Sequence, residues 1–328
     1  MRFLYSLLLF ASLSLYGINP EKESEKIWST YISTLPPSKH RWISKCEVSY
    51  KDFGKYLTSP KRAEDEYERS KDLSKYFTRT KITGLSSENL KKNRYQSVVP
   101  FDDVRTLRDV PGFYLCASDI VTEDQAYIVT SAPQRHTLSD FWKAILETKT
   151  TTIVQLVASS ESKSSAPIYY KKSLFPFYVD DWKIELEDDK ILAQSVLKPK
   201  QKIVERLFTA RRKDGKKRQI RHLHYENWPD GGSPDSDLFY KLLEFVDEKQ
   251  KSSDPILVHC MAGVGRSGTF VLGHTLRRQV IRNRNKKRPF NIAKTFLLIR
   301  MQREKLISTS NQFQAALIAA LIEYEKGG

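Results

Sequence analysis

Cysteine is scarce in this chain. Cys46, Cys116 and Cys260 are the three in 328 residues, and their odd number and wide spacing exclude a disulfide framework and a structural zinc site as the organising device. The six histidines show no metal-ligand spacing; His222 and His224 alternate on one face of an expected strand and read as packing. Long apolar runs are equally rare. Phe3 to Tyr16, just after Arg2, is too short to span a bilayer comfortably, for which about 20 residues are needed. It reads as a secretory signal peptide over residues 1–17, cleaved near Gly17, with an uncleaved anchor as the alternative. Nucleic-acid motifs are absent, and no basic stripe is interleaved with aromatics. The net charge of +16, from 55 Lys+Arg against 39 Asp+Glu, therefore points away from nucleic acid. It fits steering of an anionic substrate, weak contact with an anionic membrane, or a merely solvated basic surface.

The informative stretch is His259-Cys260-Met261-Ala262-Gly263-Val264-Gly265-Arg266-Ser267-Gly268-Thr269. Before it, Pro255 to Val258 reads as a buried strand; after it, Phe270, Val271, Leu272 and Leu276 continue at helical spacing. The stretch is thus a tight loop between a strand and a helix. Its glycines allow turns that aim successive N–H groups inward, and the helix N-terminus adds partial positive charge. Such a loop cradles a tetrahedral dianion. A cysteine at its start has its thiolate favoured, from a free pKa of ~8.5 toward ~3.5–7.5. Arg266 offers a planar fork to two phosphate oxygens.

This HC-x5-R-S-G-T pattern resembles the phosphate loop of the classical protein tyrosine phosphatases. Dual-specificity phosphatases, lipid phosphatases and sulfurtransferases use related loops, and the remaining sequence separates them. Lys92-Asn93-Arg94-Tyr95, followed by Pro100-Phe101-Asp102 and Arg105, is similar to the classical family's phosphotyrosine-recognition loop. The resemblance implies that Tyr95 packs on the substrate's phenyl ring and sets a deep pocket. Thirty residues before Cys260 stands Trp228-Pro229-Asp230, the family's mobile acid loop, which implies that Asp230 is the general acid and Trp228 the hinge anchor. Phe113 to Ser118 occupies the place of the family's Y-I-N-A-S.

The fold class expected is α/β, a highly twisted mixed central sheet flanked by helices, in a catalytic domain over residues 88–328. Residues 18–87 read as a charged extension of helices and linkers, broken at Leu35-Pro36-Pro37, with Lys61 to Lys75 an exposed helix. Strand readings fall at Thr151 to Val157, Lys183 to Lys198, Ile203 to Arg212 and Arg218 to Tyr225, with a turn at Asp214-Gly215. Thr137 with Asp140, and Thr309 with Gln312, are read as capping boxes.

The resemblance implies a phosphotyrosine-protein phosphatase without metal or other cofactor. Cys260 is the nucleophile; Arg266 and the amides of Met261, Ala262, Gly263, Val264 and Gly265 bind phosphate; Ser267 hydrogen-bonds the departing thiolate; His259 holds the loop. Gln312 matches the second of two family glutamines, whereas Ser308 stands where the first, water-orienting one belongs. Ser97 replaces the usual aspartate, and Gly231-Gly232 follow the acid. These departures keep two alternatives open: a phosphotyrosine trap with slow turnover, and a phosphatase of broader lipid or phosphoserine specificity. Export of such a catalyst implies a bacterial protein delivered to a host.

Overall fold

The computed structural model describes residues 19–77, 79–158, 161, 169–250 and 254–327. The expected signal at residues 1–17 lies outside the described residues. Helices α1 (Pro20–Ile32), α2 (Pro37–Lys45), α3 (Phe53–Leu57) and α4 (Pro60–Leu73) come first, with β1 (Glu47–Val48) between α2 and α3. The short α5 (Ile82–Leu85) leads into β2 (Ala117–Val121), β3 (Ala126–Ser131), α6 (Leu138–Glu147) and β4 (Thr152–Gln155). Then follow β5 (Phe177–Val179), β6 (Trp182–Gln194), β7 (Lys202–Arg212), β8 (Lys217–Glu226) and α7 (Ser236–Asp247). The chain closes with β9 (Ile256–Cys260), α8 (Gly265–Asn283), β10 (Phe290–Asn291), α9 (Ile292–Gln302) and α10 (Ser310–Glu325).

Eight strands form one sheet in the order β2-β3-β9-β4-β8-β7-β6-β5, and β1 pairs with β10 apart from it. The centre, β3-β9-β4-β8, is parallel; the β2 edge and the β7-β6-β5 side are antiparallel. This is the expected mixed sheet. Its parallel strands are apolar throughout because helices cover both faces: Ile256, Leu257 and Val258 have no exposed surface. Cys260 thus sits at the carboxyl end of a central strand, where ligands of open α/β sheets bind. Gly215, with φ +88, makes the β7–β8 turn.

The N-terminal segment is more tightly bound than its charge density predicts. Phe53 stacks on Phe290 with centroids 3.8 Å apart, and Tyr67 packs on Phe296 and Phe313. Each ring so buried contributes roughly 1.5–3 kcal/mol. Helix α4, expected to be exposed, buries Ala63, Glu66, Tyr67, Ser70 and Leu73. Its apolar face is narrow and partly aromatic, so the surrounding charges mask it. Pro36-Pro37 breaks the chain as expected, with Pro37 in the first turn of α2.

Two local readings are corrected. The capping box before α6 joins Gln134 and Thr137, not Thr137 and Asp140; Asp140 instead pairs with Lys92 at 2.8 Å. At α10, Thr309 does accept from the Gln312 amide at 3.3 Å. The Gln312 side chain, however, accepts from the Ser308 N–H at 2.9 Å, one residue earlier than a capping box requires.

Candidate active site

The loop from Met261 to Val264 is built by fastening its carbonyls outward. Met261 O accepts from Ala132 N at 3.1 Å, and Gly263 O from Arg303 Nε at 2.7 Å. Ala262 O accepts from Arg303 Nη2 at 3.4 Å; Val264 O takes Gly268 N at 2.9 Å and Ile307 N at 3.2 Å. A trans peptide sets its N–H opposite its carbonyl, so the following amides, Ala262 through Gly265, turn the other way into one concavity. Gly263 is required: its φ is +69, and a Cβ there would lie 2.3 Å from Thr130 O. At Gly265 a Cβ would meet the Gln312 amide at 2.8 Å. Helix α8 begins at Gly265 and adds its dipole.

Cys260 is almost wholly buried. Burial alone would push its thiol up. The Arg266 charge, the Ser267 hydroxyl and the amides of Ser267 and Val264 outweigh that and hold it below the ordinary cysteine value. Arg266 Nε is a buried donor without a partner among the described residues, and Ser267 Oγ has none apart from Cys260. The rest of the Arg266 guanidinium is anchored. Nη1 and Nη2 grip the two oxygens of Glu161 at 2.7 and 2.8 Å, and Nη1 also donates to Trp228 O at 3.0 Å. A buried arginine would be costly unpaired; the bidentate carboxylate fixes both charge and plane.

Trp228 is fully buried between Tyr225 and Phe239, and its Nε1 donates to Gly232 O at 2.9 Å. The five residues from Trp228 to Gly232 are thereby closed into a loop over the cradle. Gly231 takes the left-handed conformation, φ +67, that the turn needs. Asp230 projects from it, mostly exposed, with Oδ1 3.1 Å from Arg266 Nη2.

On the other rim, Arg94 donates to Ala132 O at 3.0 Å and Pro133 O at 3.1 Å. Asn93 donates to Gly84 O at 2.6 Å and accepts from the Tyr114 hydroxyl. With the two residues before it fixed, Tyr95 keeps 43% of its surface exposed. Behind the loop, His259 is buried and neutral, its pKa held down to about 3 by burial first. Its Nε2 meets the Tyr169 hydroxyl at 2.9 Å.

A profile of the protein-tyrosine phosphatase family matches residues 89–322. The chain belongs to that family. It is 31% identical over 243 residues to the rat tyrosine-protein phosphatase non-receptor type 20, covering 71% of this chain and 54% of that protein. It is 34% identical over 254 residues to tyrosine-protein phosphatase 1 of Caenorhabditis elegans, covering 73% and 23%. Over 223 residues it is 34% identical to tyrosine-protein phosphatase 2 of Dictyostelium discoideum, covering 66% and 55%. The chain spans about half the length, or less, of these relatives.

Within this phosphatase fold, Cys260, Arg266, Ser267, the Ala262–Gly265 amides and Asp230 converge on one concavity, with Gln312 packed behind Gly265; the Met261 amide is not among those turned inward. Glu161, Arg303 and Tyr169 escaped the sequence reading. Each acts through another residue and carries no local motif; Arg303 is buried. Ser97 presents its backbone carbonyl to Lys305 Nζ at 3.1 Å. Cys46 and Cys116 are buried free thiols.

Proposed function

We propose that this protein hydrolyses phosphotyrosine in proteins through a phosphocysteine intermediate. The observation that carries the reading is the cradle itself: inward amides, a depressed thiol at Cys260, and the partnerless buried Nε of Arg266 beside it. In the first step Cys260 Sγ attacks phosphorus and the bond from phosphorus to the tyrosine oxygen breaks. Arg266 and the loop amides hold the equatorial oxygens. A phenol leaves with a pKa near ~10, so Asp230 protonates it as it departs, a step that contributes ~10²–10⁴-fold. The phosphate displaces Asp230 from its contact with Arg266, freeing the carboxyl for that transfer. In the second step Asp230 takes a proton from water, which attacks phosphorus and releases the Cys260 thiolate toward the Ser267 hydroxyl. Tyr95, held upright by its anchored neighbours, supports a pocket too deep for phosphoserine.

The test is phosphate release from paired phosphotyrosine and phosphoserine peptides under reducing conditions. Turnover of the first alone is expected; equal rates would sink the deep pocket and favour the broader specificity. A second reading, slow turnover, is favoured by one observation: the Gln312 carbonyl is turned to the Ser308 amide and no second glutamine stands at Ser308. A burst of one tyrosine equivalent per protein followed by near arrest would establish it.

We also propose export through residues 1–17 and action on host phosphoproteins, supported by the apolar run behind Arg2. Recovery only in the producing cell's cytoplasm with Met1 to Gly17 retained would refute it.

A further inference from the structure

Behind the cysteine loop lies a buried chain of polar groups that the proposed chemistry does not use. His222 Nε2 lies 3.0 Å from Gln155 Oε1 and 3.0 Å from the Tyr169 hydroxyl. The same hydroxyl lies 2.9 Å from His259 Nε2. The sheet register makes the cluster rigid: β4 runs between β8 and β9, with Gln155 opposite both His224 and His259. Gln155, His222, His259 and Tyr169 are each at most 2% exposed. Burial keeps both imidazoles neutral and the Tyr169 hydroxyl protonated, so the chain carries no net charge and only the direction of its hydrogen bonds is variable.

That direction is set at one end. An amide oxygen only accepts, so His222 must carry its proton on Nε2. His222 Nδ1 is then bare; like His259 Nδ1 it is buried with no partner among the described residues. With His222 Nε2–H facing its oxygen, the Tyr169 hydroxyl must spend its proton on His259 Nε2. His259 is left with its proton on Nδ1, which meets no hydrogen-bond partner among the described residues but lies where the Cys260 backbone favours a proton.

We propose that Gln155 and His222 are positioning residues that fix the tautomer of His259 through Tyr169, and with it the placement of Cys260. They touch neither substrate nor the reacting atoms. Without the Gln155 oxygen, His222 can take the opposite tautomer and accept from Tyr169. The hydroxyl oxygen then accepts from His259 Nε2–H, and the Cys260 backbone loses its Nδ1–H neighbour. The whole chain reverses without any residue moving far. The other charged or titratable groups acting on His259 are His224, Arg94 and Arg266; on Cys260 they are Arg266 with Glu161 and Asp230 beyond it.

This inference rests on the phosphatase reading only for its consequence, so its test does not depend on turnover. Long-range nitrogen–proton NMR on the full chain reports the His259 tautomer, and the pH profile of Cys260 alkylation by iodoacetate reports the thiolate. The expected wild-type form is Nδ1–H. In Gln155→Met, which keeps volume and removes the acceptor, the Nε2–H form gains most of the population. The alkylation midpoint rises by about one pH unit, and kcat falls about tenfold with KM within twofold. His222→Gln, whose amide can donate to Tyr169 as His222 does, is expected to retain the Nδ1–H form and serves if Gln155→Met does not fold. A wild-type His259 in the Nε2–H form overturns the proposal. So does a folded Gln155→Met with tautomer and alkylation profile unchanged. Absence of phosphatase activity with the expected tautomer shift would instead count against the proposed function alone.

Discussion

Replacing Ser267 by alanine probes the thiolate most cleanly. Ser267 is fully buried, and its hydroxyl has no partner among the described residues apart from the Cys260 charge that it stabilises. A hydrogen bond to a charged group contributes about 1.5–3 kcal/mol. At 1.36 kcal/mol per pKa unit, its loss raises the Cys260 pKa by about 1–2 units. The sign follows from the charge: removing a donor to the anion favours the neutral thiol. The iodoacetate rate against pH therefore keeps its plateau and moves its midpoint up by that amount. The same hydroxyl stabilises the thiolate as it leaves phosphorus, so the second step slows by about 10–100-fold. A pre-steady-state burst appears with a nitrophenyl phosphate. If the alkylation midpoint of Ser267→Ala matches the parent, the Arg266 charge and the amides suffice, and the hydroxyl has no part in the depressed thiol.

Glu161→Ala leaves the Arg266 fork without its bidentate partner; kcat/KM for a phosphotyrosine peptide is expected to fall about 10–100-fold, measured by phosphate release. Tyr95→Ala is expected to raise the phosphotyrosine KM about tenfold and to lift the phosphoserine rate above the parent's, measured by phosphate release. His224 and His259 are held down to about 3, chiefly by burial, against ~6.5 unfolded, so each stabilises the fold above pH 6.5 and loses that contribution as pH falls toward 3. Glu66 and Asp119, raised to about 7 by burial, oppose them. His224→Gln removes one of the two depressed imidazoles. Relative to the parent it should gain about 2 kcal/mol between pH 6.5 and 5, read from urea midpoints.

The chemistry of this chain was legible because it is local. Cys260, the loop amides, Arg266 and Ser267 lie on one continuous stretch, and the strand and helix around them show plain apolar runs. Asp230 and Tyr95 come from separate loops, but each carries its own motif. Glu161 was invisible for the opposite reason: one carboxylate in a serine-rich segment gains meaning only when the sheet brings it to Arg266. Gln155 and His222 likewise look like packing residues until register sets β4 between β8 and β9. The N-terminal helices were misjudged by composition. Phe53 and Tyr67 bury their rings on β10, α9 and α10, yet stand among lysines, arginines and glutamates that dominate any average.

In the proposed reaction Cys260 carries the phosphoryl group while Asp230 protonates the leaving tyrosine. Phosphate release from a phosphotyrosine peptide by residues 18–328, beside Cys260→Ser and Asp230→Ala, addresses both roles at once. Turnover by the parent is expected, none by Cys260→Ser, and a loss of about 10²–10⁴-fold in Asp230→Ala with peptide binding retained. Release by Cys260→Ser at the parent's rate, or an Asp230→Ala variant as fast as the parent, would contradict it.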